Sequence, residues 1–261
     1  MKVAANGVAL NAVTDGAAGA PWITFLGGIA NDHTLWEAQV GPLSRGHRLL
    51  RLDARGHGSS DAPPAPYAIA DLVGDVVGAW DALGVERSVL AGLGLGGVVA
   101  AETALAHPGR VSAVVPVSCR ASVTPEYRSI WPPMMEAARR GGVQAIAEPT
   151  LERWFSADFR RDHSDVIASM RAAILRTSVD GYLGSIAALL GLDWADRLGA
   201  FRMPVLYVSG ELDRVGAPPE VVQALCDATP GARHAVLPGA THISAVCNPA
   251  AFTRALLELL Q

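Results

Sequence analysis

Lysine is all but missing from this chain: Lys2 is the only one among 21 basic residues, and the rest are arginines. No basic block occurs and the formal net charge is -4, so the electrostatic footprint of a nucleic-acid binder is absent. The uniform choice of arginine reads as a composition bias of the coding DNA, not as a binding surface. Cysteine is scarce as well. Cys119, Cys226 and Cys247 are odd in number, far apart and without a CxxC pair, which excludes a disulfide framework and points to a reducing compartment. Charged residues make up only 18%, and with 50% apolar residues this excludes intrinsic disorder. No apolar run reaches the ~18 residues needed to span a bilayer. The segment MKVAANGVALNAV has neither a sustained apolar core nor a cleavage pattern. The expectation is a soluble cytoplasmic protein, monomer or homodimer, whose partner is a small-molecule substrate, not nucleic acid or a membrane.

What is present is 261 residues of one compositional texture, enough for one large α/β domain or a domain with an insertion. Short apolar runs read as strands at Val8 to Val13, Trp22 to Leu26, His47 to Asp53, Ser88 to Ala91, Val111 to Ser118, Pro204 to Ser209 and His234 to Leu237. Helical spacing is carried by Asn31 to Val40, Ile69 to Leu83, the Ala-rich stretch up to His107, Pro219 to Ala228 and Pro249 to Leu260. Strands alternating with helices imply βαβ units and a mainly parallel sheet. Residues 123–198 break the alternation with four helical patterns and no strand (Met134 to Arg140, Val143 to Phe155, Asp165 to Leu175, Gly181 to Leu190). The expected organisation is a core of residues 1–122 and 199–261, with a helical lid inserted at 123–198.

The strand Ser88 to Ala91 runs into Gly92-Leu93-Gly94-Leu95-Gly96-Gly97 and then a helix. Such a segment can be a tight glycine turn, a phosphate-binding loop or a nucleophile elbow. The phosphate loop fits poorly, because GxGxxG spacing and an acidic residue ending the next strand are both missing. The elbow spacing G-x-S-x-G fits, except that Gly94 stands where the serine belongs. The rest of the chain supplies what an elbow needs. The turn Leu26-Gly27-Gly28-Ile29 follows an earlier strand, an acid (Asp213) follows VLYVS, and a histidine (His242) follows HAVLPG. Nucleophile, acid, histidine is the chain order of that arrangement.

These segments resemble the α/β-hydrolases, and within them the 3-oxoadipate enol-lactonase-like group. The resemblance is carried by LWEAQVGPLSRGHRLLRLDARGHGSSDAP, YAIADLVGDVVGAWDALGV, LERWFSADFR, VSGELDRVGAPP and GATHISAVCNPAAFTRALLELL, and covers nearly the whole chain. It implies an α/β-hydrolase fold, action on a small ester or lactone, no cofactor, a His242–Asp213 pair, and an oxyanion hole formed by the N–H groups of Ile29 and Leu95. The departure is Gly94: the family's segment reads GLSLGG, this one GLGLGG.

Glycine has no hydroxyl, so no acyl-enzyme can form at position 94. Backbone oxyanion donors do not need the serine side chain, and histidine is the side chain whose ordinary titration lies near neutrality. The vacated space leaves room for a water. An engineered serine-to-glycine exchange and a native glycine both fit the sequence. Three functions follow: ester or lactone hydrolysis by a lost serine or a His242-activated water; a cofactor-independent lyase, cyclase or dioxygenase using His242 as base; or a small-ligand binder without activity. The retained Asp213 and His242 argue against the last. Among other residues, Trp131, Met134, Met135, Trp154 and Phe155 are expected in lid packing, with one or two of them, Trp131 first, also lining the pocket; Trp131, Met134 and Trp154 are the substrate-binding candidates. Arg120, after a strand, reads either as a solvated arginine or as a partner for a substrate carboxylate. His57 in RGHGSS reads as a structural turn residue. His33, His47, His107, His163 and His234 show no ligand spacing, and no metal is expected.

Overall fold

A computed structural model describes residues 1–261. In the first half, β1 (Lys2–Ala5), β2 (Val8–Asp15) and β3 (Trp22–Leu26) precede a 3₁₀ turn, His33–Trp36, that runs into α1 (Glu37–Leu43). Then come β4 (Arg48–Leu52), α2 (Ile69–Leu83), β5 (Ser88–Leu93), α3 (Leu95–Ala106) and β6 (Val111–Val117). Six helices follow without a strand: α4 (Pro125–Ser129), α5 (Trp131–Gly141), α6 (Gln144–Trp154), α7 (Ala157–Asp162), α8 (Ser164–Leu175) and α9 (Val179–Leu190). The chain closes with a 3₁₀ turn Ala195–Ala200, β7 (Leu206–Gly210), α10 (Pro219–Ala228), β8 (Arg233–Leu237), α11 (Ser244–Cys247) and α12 (Pro249–Leu259).

The eight strands form one sheet in the order β1-β2-β4-β3-β5-β6-β7-β8. Only β1 and β2 are antiparallel to their neighbours. Strands β3, β5 and β6 are almost wholly buried, as continuous apolar runs covered by helices on both faces must be. This is the α/β-hydrolase fold expected from the sequence. The parallel register brings the C-terminal ends of β3, β5, β6, β7 and β8 to one edge, where an open α/β sheet binds its ligands.

Two local readings are corrected. Strand β1 escaped the pattern because it is four residues long; the Asn6-Gly7 turn, both residues at positive φ, pairs it with β2 as a tight hairpin. Asn31 to Val40 is not one helix. Asp32 caps a 3₁₀ turn by accepting from the Thr34 N–H at 3.0 Å, and α1 starts only at Glu37.

The loop after β4 is pinned from two sides. Arg55 grips Asp75 of α2 with Nε and Nη2 at 2.7 and 2.6 Å, both side chains buried. On the other side, the Gly56 carbonyl accepts from the N–H of Ser178 at the start of α9 at 2.8 Å. Removing one partner of a buried ion pair strands the other and costs about 3–5 kcal/mol. Asp75→Ala is therefore expected to lower the melting temperature by about 6–20 °C for a chain of this size. A circular-dichroism melt checks this, and an unchanged midpoint would contradict it.

Candidate active site

Gly94 links β5 to α3 at φ 55°, ψ -117°, a combination open to glycine and strained for any other residue. The turn is fixed by its backbone: the Gly94 N–H donates to the Val117 carbonyl at 2.8 Å, and the Gly94 carbonyl accepts from Val98 at 3.1 Å. Leu95 opens the helix, so its N–H has no acceptor within the helix and points with the positive end of the dipole. Across from it, the turn after β3 carries Ile29, whose N–H donates to no protein acceptor. Its neighbour Ala30 is held at φ 62°. Both Ile29 and Leu95 line the same cavity.

Asp213 and His242 arrive from the ends of β7 and β8. The Asp213 carboxylate is fully buried and lies 3.0 Å from His242 Nδ1. Its oxygens also accept from the backbone N–H groups of Val215, Gly216 and Ala217 at 2.8, 3.2 and 3.4 Å. Burial pushes the Asp213 pKa up, but the neighbouring imidazole and those N–H donors outweigh it and hold the group at about 2. With Nδ1 bonded to the carboxylate, Nε2 faces the turn: it lies 3.8 Å from where a Cβ on Gly94 would stand, and beyond the chain neighbours of Gly94 no other atom is within 4 Å of that point. Thr241 fixes the histidine loop by donating its hydroxyl to the Trp154 carbonyl at 2.6 Å.

The cavity over this turn contains about 620 Å³ of empty space, its open mouth included. Of the residues singled out in the sequence, Gly94, Leu95, Ile29, His242, Arg120, Trp131, Met134 and Trp154 all line it, while Met135 and Phe155 do not. Asp213 stands behind His242, outside the lining. Arg120 is not free in solvent. Its Nε donates to the Gly216 carbonyl and its guanidinium lies 4.6 Å over the Tyr127 ring. Gly216 in turn packs against the His242 ring.

Sequence reasoning missed Arg153, Thr150, Tyr182, Asn31 and Ser118, which also line the cavity. Arg153 makes no ion pair; its polar contact is Met134 Sδ, with its guanidinium 5.4 Å over the Trp131 ring, and burial lowers its pKa. Thr150, Asn31, Ser118, Tyr182 and Trp131 each keep a buried polar side-chain atom without a protein partner. The signal was available on α6: Thr150, Arg153 and Trp154 stand at i, i+3 and i+4, one helix face.

The histidines had shown no ligand spacing, yet the fold brings His33 together with Asp32 and Asp53, their candidate ligand atoms within 4.8 Å of one another. Protein donors already serve these carboxylates. Arg176 pairs with Asp32 at 2.6 Å, and His33 bonds Asp53 through both Nδ1 and its N–H, at 2.8 and 2.7 Å.

The model of the alpha/beta hydrolase fold matches residues 21–249. The chain belongs to the α/β-hydrolase family. Among solved structures, this α/β hydrolase superposes on the enol-lactonase from Burkholderia xenovorans LB400 with a TM-score of 0.94 and 35% identity, covering 100% of this chain and 99% of that one. It is 28% identical to 3-oxoadipate enol-lactonase 2 of Acinetobacter baylyi over 98% of this chain and 95% of that protein. It matches a thermophilic esterase from Thermogutta terrifontis at a TM-score of 0.91 and 28% identity, covering 100% and 97%. It is an enol-lactonase-like member of the family. No helix is long and apolar enough to cross a membrane.

Proposed function

We propose that this α/β hydrolase cleaves a small ester or lactone bearing an anionic group, with a water in place of the serine hydroxyl and no acyl-enzyme. The observation that carries this reading is the open space over Gly94, faced by His242 Nε2 at 3.8 Å from the Cβ position. A water lying between that position and Nε2 comes within the ~2.6–3.2 Å reach of a base whose other nitrogen is fixed on Asp213. The water oxygen attacks the acyl carbon as its proton passes to Nε2. The carbonyl oxygen becomes an oxyanion between the N–H groups of Ile29 and Leu95. The intermediate collapses with breakage of the acyl–oxygen bond, and the imidazolium returns the proton to the leaving alkoxide. Asp213 stays ionised and stabilises the imidazolium, consistent with a pKa of about 2. Helices α4 to α9 act as the lid over this chemistry, with Trp131, Met134 and Trp154 as apolar walls. The relatives named as enol-lactonases support a lactone substrate.

The anionic group is argued from Arg120 and Arg153, two guanidiniums on the cavity wall with no carboxylate partner. A cation that is partly desolvated and unpaired awaits an anion. A charge-assisted hydrogen bond contributes about 1.5–3 kcal/mol. Arg153→Met is thus expected to lower kcat/KM about 10- to 100-fold for a lactone with a pendant carboxylate, while a neutral lactone of the same size changes less than about threefold. Equal losses on both substrates would refute the anion site. The hydrolytic reading itself is tested with His242→Ala: a variant still turning over a panel of esters and lactones at the native rate would remove it.

A further inference from the structure

The histidine of RGHGSS lies beside the oxyanion turn. His57 is 1% exposed. Its Nε2 accepts a hydrogen bond from the Ala30 N–H at 3.0 Å, and its Nδ1 lies 3.0 Å from the Arg55 carbonyl. A carbonyl only accepts and an N–H only donates. The ring is therefore neutral, with its proton on Nδ1; no other protonation state satisfies both partners. Ala30, meanwhile, is an alanine at φ 62°, a conformation that persists only where the surroundings enforce it. The other bonds of the turn do not hold Ala30 itself: the Asn31 N–H donates to the Gly28 carbonyl at 3.2 Å, and the Ile29 N–H is unpaired. The Ala30 nitrogen is bonded directly to the Ile29 carbonyl carbon, so holding that peptide plane holds Ile29, and a change in the Ile29 dihedrals swings its N–H off its direction.

We infer that His57 is a positioning residue for the oxyanion hole: its neutral imidazole clamps the Ala30 N–H and so aims the Ile29 N–H into the cavity. The inference rests on the proposed role of the Ile29 N–H. The clamp has a rigid base. The loop carrying His57 is fixed on α2 through Arg55–Asp75 and on α9 through the Gly56 carbonyl. Burial lowers the His57 pKa, against the opposite pull of Asp53 and Asp32, and this keeps Nε2 an acceptor. Asp53 is itself engaged by His33, Asn11 and the Ser59 N–H, and Asp32 by Arg176.

Two variants separate a clamp from mere packing. Glutamine places an amide oxygen near the position of Nε2 and accepts from Ala30; leucine fills the space and accepts nothing. His57→Leu is expected to speed amide hydrogen exchange at Ala30 at least tenfold. In the same protein kcat on the best lactone is expected to fall about 10- to 100-fold with KM within about twofold, since one misdirected oxyanion donor weakens only the transition state. His57→Gln is expected to restore both. Exchange at Ala30 that is equal in His57→Leu and the native protein would overturn the clamp, and this readout needs no activity. Faster exchange with unchanged kcat would also overturn the positioning role, because a loosened turn would then not matter to the reaction. A failure of the hydrolytic reading looks different: His242→Ala keeps its turnover while the His57 exchange data stand unaltered.

Discussion

Gly94→Ser is expected to turn this site into a serine esterase, raising hydrolysis of an activated aryl ester at least about a hundredfold. The ceiling is the roughly 10⁶-fold that a nucleophile contributes in serine enzymes that rely on one. A serine Cβ at this turn meets only His242 Nε2, at 3.8 Å, so the hydroxyl enters without collision and beside its base. Around it stand the groups proposed for the oxyanion hole and the base: the Leu95 helix N-terminus, the Ile29 turn and the Asp213-bound imidazole. The gain comes with a structural penalty. At φ 55°, ψ -117° a side chain carries strain of about 1–3 kcal/mol, so the melting temperature should drop by several degrees. A more active, less stable variant is the signature, together with a pre-steady-state burst and an acyl adduct in the intact mass. The same hydroxyl occupies the space assigned to the attacking water. The proposed lactone reaction is therefore expected to slow as the aryl-ester reaction rises. A Gly94→Ser protein with no burst and no gain on any ester would contradict the elbow reading.

Much of this site is legible in the linear sequence because its parts sit at strand ends. Gly94, Asp213 and His242 each follow a buried apolar run, and a parallel sheet carries such ends to one edge irrespective of what lies between. Helix α2 could be bounded to the residue, Ile69 to Leu83, because its apolar period is regular and Gly84 closes it in the left-handed region. The side of the pocket formed by α4 to α9 was a different matter. Whether Arg153 faces solvent or the cavity depends on how α6 is rotated against α5 and α8, which periodicity leaves open. An arginine beside Trp154 in LERWF reads as an ordinary surface residue until the absence of an ion pair is visible. Ser118 and Asn31 were illegible for a related reason. Their significance lies in polar atoms left unpartnered, and an unmade bond leaves no mark in a sequence. His57 combines both cases: RGHGSS announces a turn, but the partner of its Nε2 is Ala30, brought near only by the parallel pairing of β3 with β4.

Asp213→Asn is expected to reduce turnover by about 10³–10⁴-fold, and the reason lies in the loop that follows it. Oδ1 of Asp213 accepts from Val215 and Gly216 at 2.8 and 3.2 Å, while Oδ2 faces His242 at 3.0 Å and has only the longer Ala217 N–H bond at 3.4 Å. In an asparagine the two N–H donors select the amide oxygen for their side, so the amide NH₂ turns to His242. An NH₂ donates, which forces Nδ1 of the imidazole to accept and moves its proton to Nε2. Nε2 then presents a proton to the water instead of taking one. In serine proteases this tautomer error alone drops kcat about 10⁴-fold with the geometry intact. The charge matters for stability too. The Asp213 pKa is about 2, below its ordinary 3.8, so the native state favours the ionised form. That contribution is fully present above about pH 4 and fades as pH falls through 4 toward 2; integrated, it is about 2 kcal/mol. Asp213→Asn should therefore flatten the acid limb of a stability-versus-pH curve as well as suppress turnover at neutral pH. Hydroxide needs no general base, so the residual rate of the variant should climb with pH where the native enzyme is level. An Asp213→Asn protein within tenfold of the native rate at neutral pH would mean that the imidazole needs no orientation from its carboxylate, and the role given to Asp213 would have to be abandoned.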